Sequence, residues 1–353
     1  MKRQIFFWVV FFFIFAAIQT GPRPVLAQGE LPLVVVVTTG GTIAEKKDPQ
    51  TGALVPAVSG KDLLKAVPDL SKLAGIKVKE FSNIDSSHMT PRIWAKLSRE
   101  INSTLEKQEV AGVVVTHGTD TMAEAAFFLD VTLRSVKPVV LVGAMRGASD
   151  LSPDGPANIR DAVCLAASSS ARNRGVMVVL NQYIWAARCV EKTRTSTVQT
   201  FNCGWQGALG NIIGGEIRFF NKRLRQPHLP LPKEMAKVSL ITTFAGDDGA
   251  MIRAAVKQGA QAIVLEALGQ GNVNPKVFQA VKQALAQKIT VVITTRVPYE
   301  PVHGGYGDVG GGSRLEKAGA ILSRDLRGPK ARLLLMLALP QVKEAEKLRG
   351  LFQ

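Results

Sequence analysis

Short runs of consecutive apolar residues recur along the chain, and longer stretches with helical spacing separate them. The runs that we predict as strands are residues 33–37, 112–115, 138–142, 176–180, 238–243, 262–265 and 290–294. Most are apolar throughout instead of alternating with polar residues, as a sheet covered on both faces requires. Helical stretches such as 121–133 and 158–170 lie between them, whereas 332–339 fits a strand or a helix. This alternation predicts an α/β protein with mostly parallel sheets.

A polar segment interrupts the alternation after residue 220. Residues 221–237, NKRLRQPHLPLPKEMAK, contain three prolines and many charges and have no apolar period, so we predict a linker. The length of 353 residues also suggests two domains at about 150 residues each. We therefore predict two open, mostly parallel α/β domains, residues 28–220 and 238–353, joined by this Pro-rich, basic linker.

The first 27 residues have the parts of a secretory signal peptide. Lys2 and Arg3 precede an apolar run over residues 5–18, and a short Pro-containing stretch ends at Ala27. The apolar run is shorter than the ~20 residues that a membrane-spanning helix needs. We expect cleavage after Ala27 and a periplasmic or secreted mature protein that no longer contacts a membrane. A retained N-terminal anchor is the alternative.

The chain is strongly basic, with 44 Lys and Arg against 28 Asp and Glu, and its charge of +16 becomes +13 without residues 1–27. The densest cluster is RFFNKRLR at 218–225, and no known nucleic-acid-binding motif accompanies it. We interpret it as a solvated basic surface and expect no nucleic-acid partner. Of the three cysteines, Cys164 is predicted as a core residue. Cys189 and Cys203 could bridge, although sequence alone does not show the geometry that a bond requires.

Two of the predicted strands end in segments that carry candidate chemistry. Ligands of open parallel sheets bind beyond the carboxyl ends of the strands. TTGGTIA at 38–44 has two glycines for a tight turn and then the hydroxyl of Thr42, yet an ordinary strand-to-helix turn also explains it. It is not a GxGxxG sequence, and the chain has no GK[ST], so a nucleotide site loses support.

The second segment, THGTDTMAE at 116–124, crowds polar residues between a predicted strand and a predicted helix. A helix cap needs only one such residue, whereas here Thr119 and Asp120 stand among further threonines and His117. This excess indicates a functional site. We interpret His117 itself as a structural histidine.

Together these segments resemble the L-asparaginase family. GAMR at 143–146, DGPANI at 154–159, EKTRTSTVQTF at 191–201 and KARLLLMLAL at 330–339 extend the likeness in the family's order over nearly the whole mature chain. With the leader, the chain is similar to the bacterial type II (periplasmic) members. The resemblance implies hydrolysis of the side-chain amide of asparagine, often with some glutaminase activity. It also implies no metal or organic cofactor, an amino-acid amide as substrate, and a homotetramer built as a dimer of dimers.

The resemblance also implies roles for individual residues. Thr42 matches the nucleophilic threonine of the family. Thr119, Asp120 and Lys192 match the second threonine, its aspartate and the lysine beside them. In the family mechanism Thr119 and Lys192 move protons and activate water, and Thr119 and Asp120 bind the substrate, with the Asp120 carboxylate at its α-ammonium group. Ser86 matches the serine that holds the substrate's α-carboxylate. Backbone N–H groups near Gly41 or Thr119 are the expected oxyanion donors.

Four positions depart from the family pattern. Ser87 stands in the substrate-binding segment where members usually have Gln or Glu, and no tyrosine follows the first motif within residues 51–60. Tyr306 or Tyr299 is the accessory candidate for the missing tyrosine. Glu300 or Asp308 is the accessory candidate for the glutamate that a neighbouring subunit usually supplies. In FAGDDG, Gly246 and Asp247 stand where many members have an asparagine. These departures leave the preference for asparagine over glutamine open.

Three alternatives are kept beside this interpretation. The first is a glutaminase-asparaginase of broad amide specificity. The second is a periplasmic amino-acid-binding protein without turnover, although such proteins usually have aromatic walls in an interdomain cleft and this chain has few aromatic residues, 6% of the total. The third is nucleic-acid binding through the basic surface, which predicts a steeply salt-dependent affinity.

Overall fold

The computed structural model describes residues 31–41, 43, 45–47, 50–51, 54–56, 60–224 and 226–352. The predicted signal peptide, residues 1–27, and the predicted nucleophile Thr42 lie outside the described residues. The strands are β1 (Leu33–Thr38), β2 (Glu45–Lys47), β3 (Leu54–Pro56), β4 (Gly75–Glu80), β5 (Val110–Thr116), β6 (Val139–Val142), β7 (Val176–Leu180), β8 (Tyr183–Ala186), β9 (Glu191–Lys192), β10 (Phe201–Asn202), β11 (Gly210–Ile213), β12 (Glu216–Phe219), β13 (Val238–Thr242), β14 (Ala262–Ala267), β15 (Thr290–Thr295) and β16 (Ile321–Leu322).

Helices connect most of these strands. They are α1 (Gly60–Lys65), α2 (Leu70–Leu73), α3 (Pro91–Leu105), α4 (Met122–Thr132), α5 (Gly155–Ala167), α6 (Ala250–Lys257), α7 (Pro275–Ala286), α8 (Gly312–Lys317), α9 (Gly328–Ala338) and α10 (Ala345–Gly350). Local signals fix several starts. Thr90 caps α3 by accepting from Ile93 N at 3.3 Å, and Pro91 occupies its first turn, where no N–H is needed.

The first sheet has the order β12-β11-β8-β7-β6-β5-β1-β4. The strands from β4 to β7 pair in parallel, and β8, β11 and β12 extend the sheet in antiparallel fashion. Both faces are covered: Val34 and Val36 of β1 belong to one buried cluster, and Val35 and Val37 belong to the other. This explains why the strand sequences are apolar at every position.

The second sheet, β13-β14-β15-β16, is parallel throughout. Helices α6 and α7 contribute to the core on one face, and α9 packs against β13, β14 and β15 as well as against α4. The leucines of α9 are buried in the same cluster as one face of the first sheet. Helix α9 therefore links the second sheet to the layer that carries α4.

The structure confirms the predicted fold class. Each predicted strand is present, and its first and last residues lie within two residues of the predicted ones. Residues 332–339, which fitted a strand or a helix, lie within or directly after α9. The described residues between β12 and β13 contain no helix or strand, as expected for a linker, although the predicted domain boundaries stay a prediction. Cys189 and Cys203 form a disulfide. Cys164 is free and only partly buried, so its prediction as a core residue is wrong.

Candidate functional site

The strand order of the first sheet reverses beside β1. The chain passes from β1 to β4 on one side and then crosses to β5 on the other. In such sheets the preferred ligand site is the crevice beyond the carboxyl ends of the two strands at the reversal, which here are β1 and β5. Both sequence segments with candidate chemistry follow these strands, since Thr39 comes after β1 and His117 after β5.

Glycines allow the loops after these strands to meet. Gly40 and Gly41 have φ angles of +107° and +89°, which residues with a Cβ rarely adopt. A Cβ on Gly41 would lie 2.3 Å from the Cα and N atoms of Gly118, and a Cβ on Gly118 would lie 2.6 Å from Ser86 Oγ. The residue before Thr42 and the residue before Thr119 are thus in direct backbone contact.

Ser86 is buried beneath the segment that follows β5. Its Oγ accepts a hydrogen bond from Asp120 N at 3.2 Å, and its carbonyl accepts one from Thr121 Oγ1 at 2.8 Å. The neighbouring Ser87 is exposed, and its N–H donates to Asp85 Oδ1 at 2.7 Å. Hydrogen bonds from Ser87 lower the pKa of Asp85 from its usual value. The structure therefore places Ser86 against Asp120 and Thr121 and leaves the Ser87 side chain facing solvent.

Thr119, Asp120 and Lys192 form the centre of the site, although 72 or more residues separate Lys192 from the other two. Lys192 Nζ donates to Thr119 Oγ1 at 2.9 Å and to Asp120 Oδ1 at 2.6 Å. The Lys192 side chain is 21% exposed and the Asp120 side chain 58%, whereas Thr119 is buried. An ammonium group thus contacts a buried hydroxyl, and a carboxylate beside it remains open to a ligand.

A short hairpin holds Lys192 in place. Strands β9 and β10 pair with Lys192 opposite Phe201, and Thr193 N donates to Thr200 O at 2.8 Å. The Cys189–Cys203 disulfide joins the chain just before β9 to the chain just after β10. The base of the hairpin that carries Lys192 is therefore closed covalently.

His117 follows β5 directly, and its structural role stays a prediction. It is completely buried, and its Nδ1 lies 2.7 Å from Gly118 O. Burial lowers the pKa of His117 to about 4, so the imidazole is neutral at physiological pH. A neutral ring bonded to the adjacent carbonyl shapes the turn before Thr119.

The accessory candidates fall in different places. Glu300 and Lys192 line one cavity of about 420 Å³, and Tyr299 at its wall packs against Gly204, where a Cβ would lie 2.5 Å from the ring. Asp247 is buried after β13 and accepts from Gly249 N at 2.8 Å. Tyr306 and Asp308 are exposed in the segment between β15 and α8. The roles predicted for all of these accessory candidates stay predictions.

Sequence reasoning missed the groups that fix the chain before Lys192. Arg188 makes a two-pronged ion pair with Asp325, at 2.7 and 2.5 Å, and Lys330 is completely buried beneath the same segment. Lys330 donates a hydrogen bond to Val190 O of that segment. No local sequence pattern marks the contacts of Arg188 with Asp325 and of Lys330 with Val190, because 137 or more residues separate the partners. The signal in the sequence is a lysine at the start of a largely apolar helical stretch.

The arrangement suits an acyl-transfer reaction. It brings together an amine and a hydroxyl, Lys192 and Thr119, that can exchange a proton, a carboxylate that can bind a cationic group, and a glycine turn of the kind that can offer backbone N–H groups to an oxyanion. Within the described ranges, no cluster of three or more His, Cys, Asp or Glu could hold a metal ion. The same residues include no helix long and apolar enough to cross a bilayer. The expectation that no metal or cofactor is used stays a prediction.

Comparisons with known proteins match most of the chain. The family model described as "Asparaginase, N-terminal" matches residues 33–225, and "Glutaminase/Asparaginase C-terminal domain" matches residues 237–352. The Escherichia coli protein named L-asparaginase 2 is 36% identical over 91% of this chain and 93% of its own. An Acinetobacter glutaminasificans protein named glutaminase-asparaginase is 35% identical over 90% of this chain and 98% of its own. A crystal structure titled probable cytoplasmic L-asparaginase, from Campylobacter jejuni, superposes with a TM-score of 0.83 at 36% identity, over 90% of this chain and 98% of that one.

Proposed function

The chain belongs to the asparaginase family of amide-hydrolysing enzymes, and from that premise we propose that it converts L-asparagine to L-aspartate and ammonia with Thr42 as nucleophile. The observation that carries the proposal is the contact of Lys192 Nζ with both Thr119 Oγ1 and Asp120 Oδ1, at 2.9 and 2.6 Å. A threonine hydroxyl is a weak nucleophile until a neighbouring group takes its proton. The Thr119–Lys192 pair supplies such a relay beside the loop that carries Thr42.

The reaction proceeds in two halves. The Thr42 hydroxyl attacks the side-chain amide carbon, and its proton passes to the leaving nitrogen, which departs as ammonia. Water activated by Thr119 and Lys192 then attacks the acyl-enzyme, one proton of that water passes to the Thr42 oxygen as the ester bond breaks, and aspartate is released. Backbone N–H groups near Gly41 or Thr119 stabilise the oxyanion, and each such donor contributes about 3–4 kcal/mol to lowering the barrier.

Two contacts orient the substrate. The exposed side of the Asp120 carboxylate binds the α-ammonium group, because its charge is opposite and its other contact is to Lys192. The turn at Ser86 and Ser87 binds the α-carboxylate. Ser86 Oγ already accepts from Asp120 N, so one turn fixes the spacing between the two recognition groups.

The test is ammonia release by the purified chain lacking residues 1–27, with L-asparagine and L-glutamine compared under identical conditions. We expect faster turnover of asparagine. Binding of either amino acid without ammonia release would overturn the proposal in favour of a binding protein without turnover. Salt-dependent capture of nucleic acid without ammonia release would favour the basic surface as the functional one.

A glutaminase-asparaginase of broad specificity is the second candidate. It is supported by the Acinetobacter relative, which is nearly as similar to this chain as the E. coli relative, and by Ser87 at a position where members usually have a longer side chain. Comparable kcat/KM values for the two amides would favour it over the asparagine-selective assignment.

Export and assembly complete the proposal. The charged start, apolar run and Ala27 of the leader support a periplasmic or secreted mature protein. A homotetramer arranged as a dimer of dimers would bring Glu300 or Asp308 of one subunit to the site of another. Light scattering of the mature chain tests the assembly, and N-terminal sequencing of the exported protein tests cleavage after Ala27.

A further inference from the structure

A lysine that the proposed mechanism does not use lies completely buried beneath the site. Lys330 is in the first turn of α9, and none of its surface is exposed. Lysine is rarely buried in full unless its ammonium group is paired. Here the charge lies where α9 of the second sheet meets the segment leading into β9, immediately before Lys192.

The Lys330 ammonium group has three partners in the segment before Lys192. Its Nζ donates to Arg188 O at 3.1 Å and to Val190 O, and it forms an ion pair with Glu191 Oε1 at 2.9 Å. Two of its three N–H donors are thus used by backbone carbonyls, and the carboxylate of Glu191 supplies the opposite charge. All three partners belong to residues 188–191, so a single side chain fixes this stretch of main chain.

The direction of the side chains in β9 connects this cation to the site. Successive residues of a strand point to opposite faces. Glu191 points to Lys330, and Lys192 points away from it, to Thr119 and Asp120. We propose that Lys330 is a positioning residue that holds β9 so that Lys192 reaches Thr119 Oγ1, an inference that rests on the proposed function.

The environment of Lys330 acts on its charge in opposite directions. Burial lowers the pKa of Lys330, and the nearby carboxylates of Glu191 and Glu124 oppose that shift, whereas Arg188 adds to it. Burial likewise raises the pKa of Glu124 on α4. Removing the Lys330 charge would leave two backbone carbonyls without their donor and one carboxylate without its counter-charge, so the segment before Lys192 would move to reach other partners.

The experiment compares Lys330→Met with Arg332→Met. Arg332 lies on the same helix and donates to Val238 O at 3.2 Å, so its loss removes a charge and a backbone contact without touching residues 188–191. We expect Lys330→Met to lower kcat at least tenfold with KM within about twofold, because Lys192 acts in proton transfer and the substrate contacts remain. Arg332→Met should retain the wild-type kcat.

A double-mutant cycle separates positioning from general destabilisation. If Lys330 acts through Lys192, then adding Lys330→Met to Lys192→Met lowers kcat no further. Equal fold-losses in both backgrounds would overturn the inference, and so would a wild-type kcat in Lys330→Met. A wild-type protein that releases no ammonia would instead refute the proposed function.

Glu191→Gln serves as the second variant should Lys330→Met fail to fold. The glutamine keeps the shape of Glu191 and removes only the charge that faces Lys330. We expect a several-fold loss of kcat that disappears in the Lys192→Met background. An unchanged kcat in Glu191→Gln, with Lys330→Met unfolded, would assign Lys330 to stability alone and overturn the positioning role.

Discussion

Replacing Gly41 with alanine tests whether the loops after β1 and β5 must touch for catalysis. The new Cβ would lie 2.3 Å from the Cα and N atoms of Gly118, where ordinary contacts begin at 3.4 Å. Neither neighbour is a flexible side chain that can turn away. One of the two loops must therefore move by roughly 1 Å, and these loops carry Thr42 and Thr119.

The expected magnitude follows from two costs. Alanine at a φ of +89° costs about 1–2 kcal/mol, and overpacking against backbone costs about 1–3 kcal/mol. The free energy of unfolding should therefore fall by about 2–5 kcal/mol. Because a 1 Å misplacement of reacting groups can cost on the order of 10²-fold in rate, kcat should fall about 100-fold.

Gly259→Ala is the matched control. Gly259 has a φ of +78°, and no atom lies within 4 Å of a Cβ built there, so alanine at this position has the backbone cost without the clash. Thermal unfolding and ammonia release would be measured for both variants. A Gly41→Ala protein with kcat within a few-fold of Gly259→Ala would refute the view that close contact of the two loops sets the catalytic geometry.

The remaining expectations concern proton transfer, acid stability and the disulfide. Thr119→Ala and Lys192→Met should each lower kcat by ~10²–10⁴ with unchanged circular dichroism, and near-wild-type turnover would contradict their proton-transfer role. Because the pKa of His117 is lowered to about 4 from 6.5, the unfolded state binds more protons between these values, so stability is lost as pH falls through that window. His117→Gln should make the melting temperature less dependent on pH there than in the wild type, and an equal dependence would contradict a buried neutral imidazole. Replacing Cys189 and Cys203 with serine should lower the free energy of unfolding by about 3 kcal/mol, as expected for releasing a loop of this length, and an unchanged urea midpoint would contradict it.

Local pattern was sufficient for the central strands of the first sheet. β7 was predicted with its observed bounds, because a parallel strand buried on both faces is apolar at every position. Strands β4, β8, β11 and β12 of this sheet were missed. In β4 and β12, exposed charged residues such as Lys77 and Arg218 interrupt the apolar run, because these two strands lie at the edges of the sheet.

Motif resemblance pointed to residues that the structure brings together, whereas the ion pairs that support them could not be predicted from sequence. Thr119 and Asp120 stand next to each other in a recognisable segment, and their contact with Lys192 agrees with the expected pairing. The Arg188–Asp325 and Lys330–Glu191 pairs join distant parts of the chain. Buried ion pairs depend on tertiary geometry and have no local spacing, so only the folded structure reveals them.

The most direct test of the account is ammonia release from L-asparagine by Thr42→Ala beside the wild type, with unfolding followed for both proteins. We expect the variant to unfold like the wild type and to lose nearly all turnover, since its methyl side chain cannot form the acyl-enzyme. A folded Thr42→Ala protein that keeps more than a few per cent of the wild-type rate would contradict the assignment of the nucleophile.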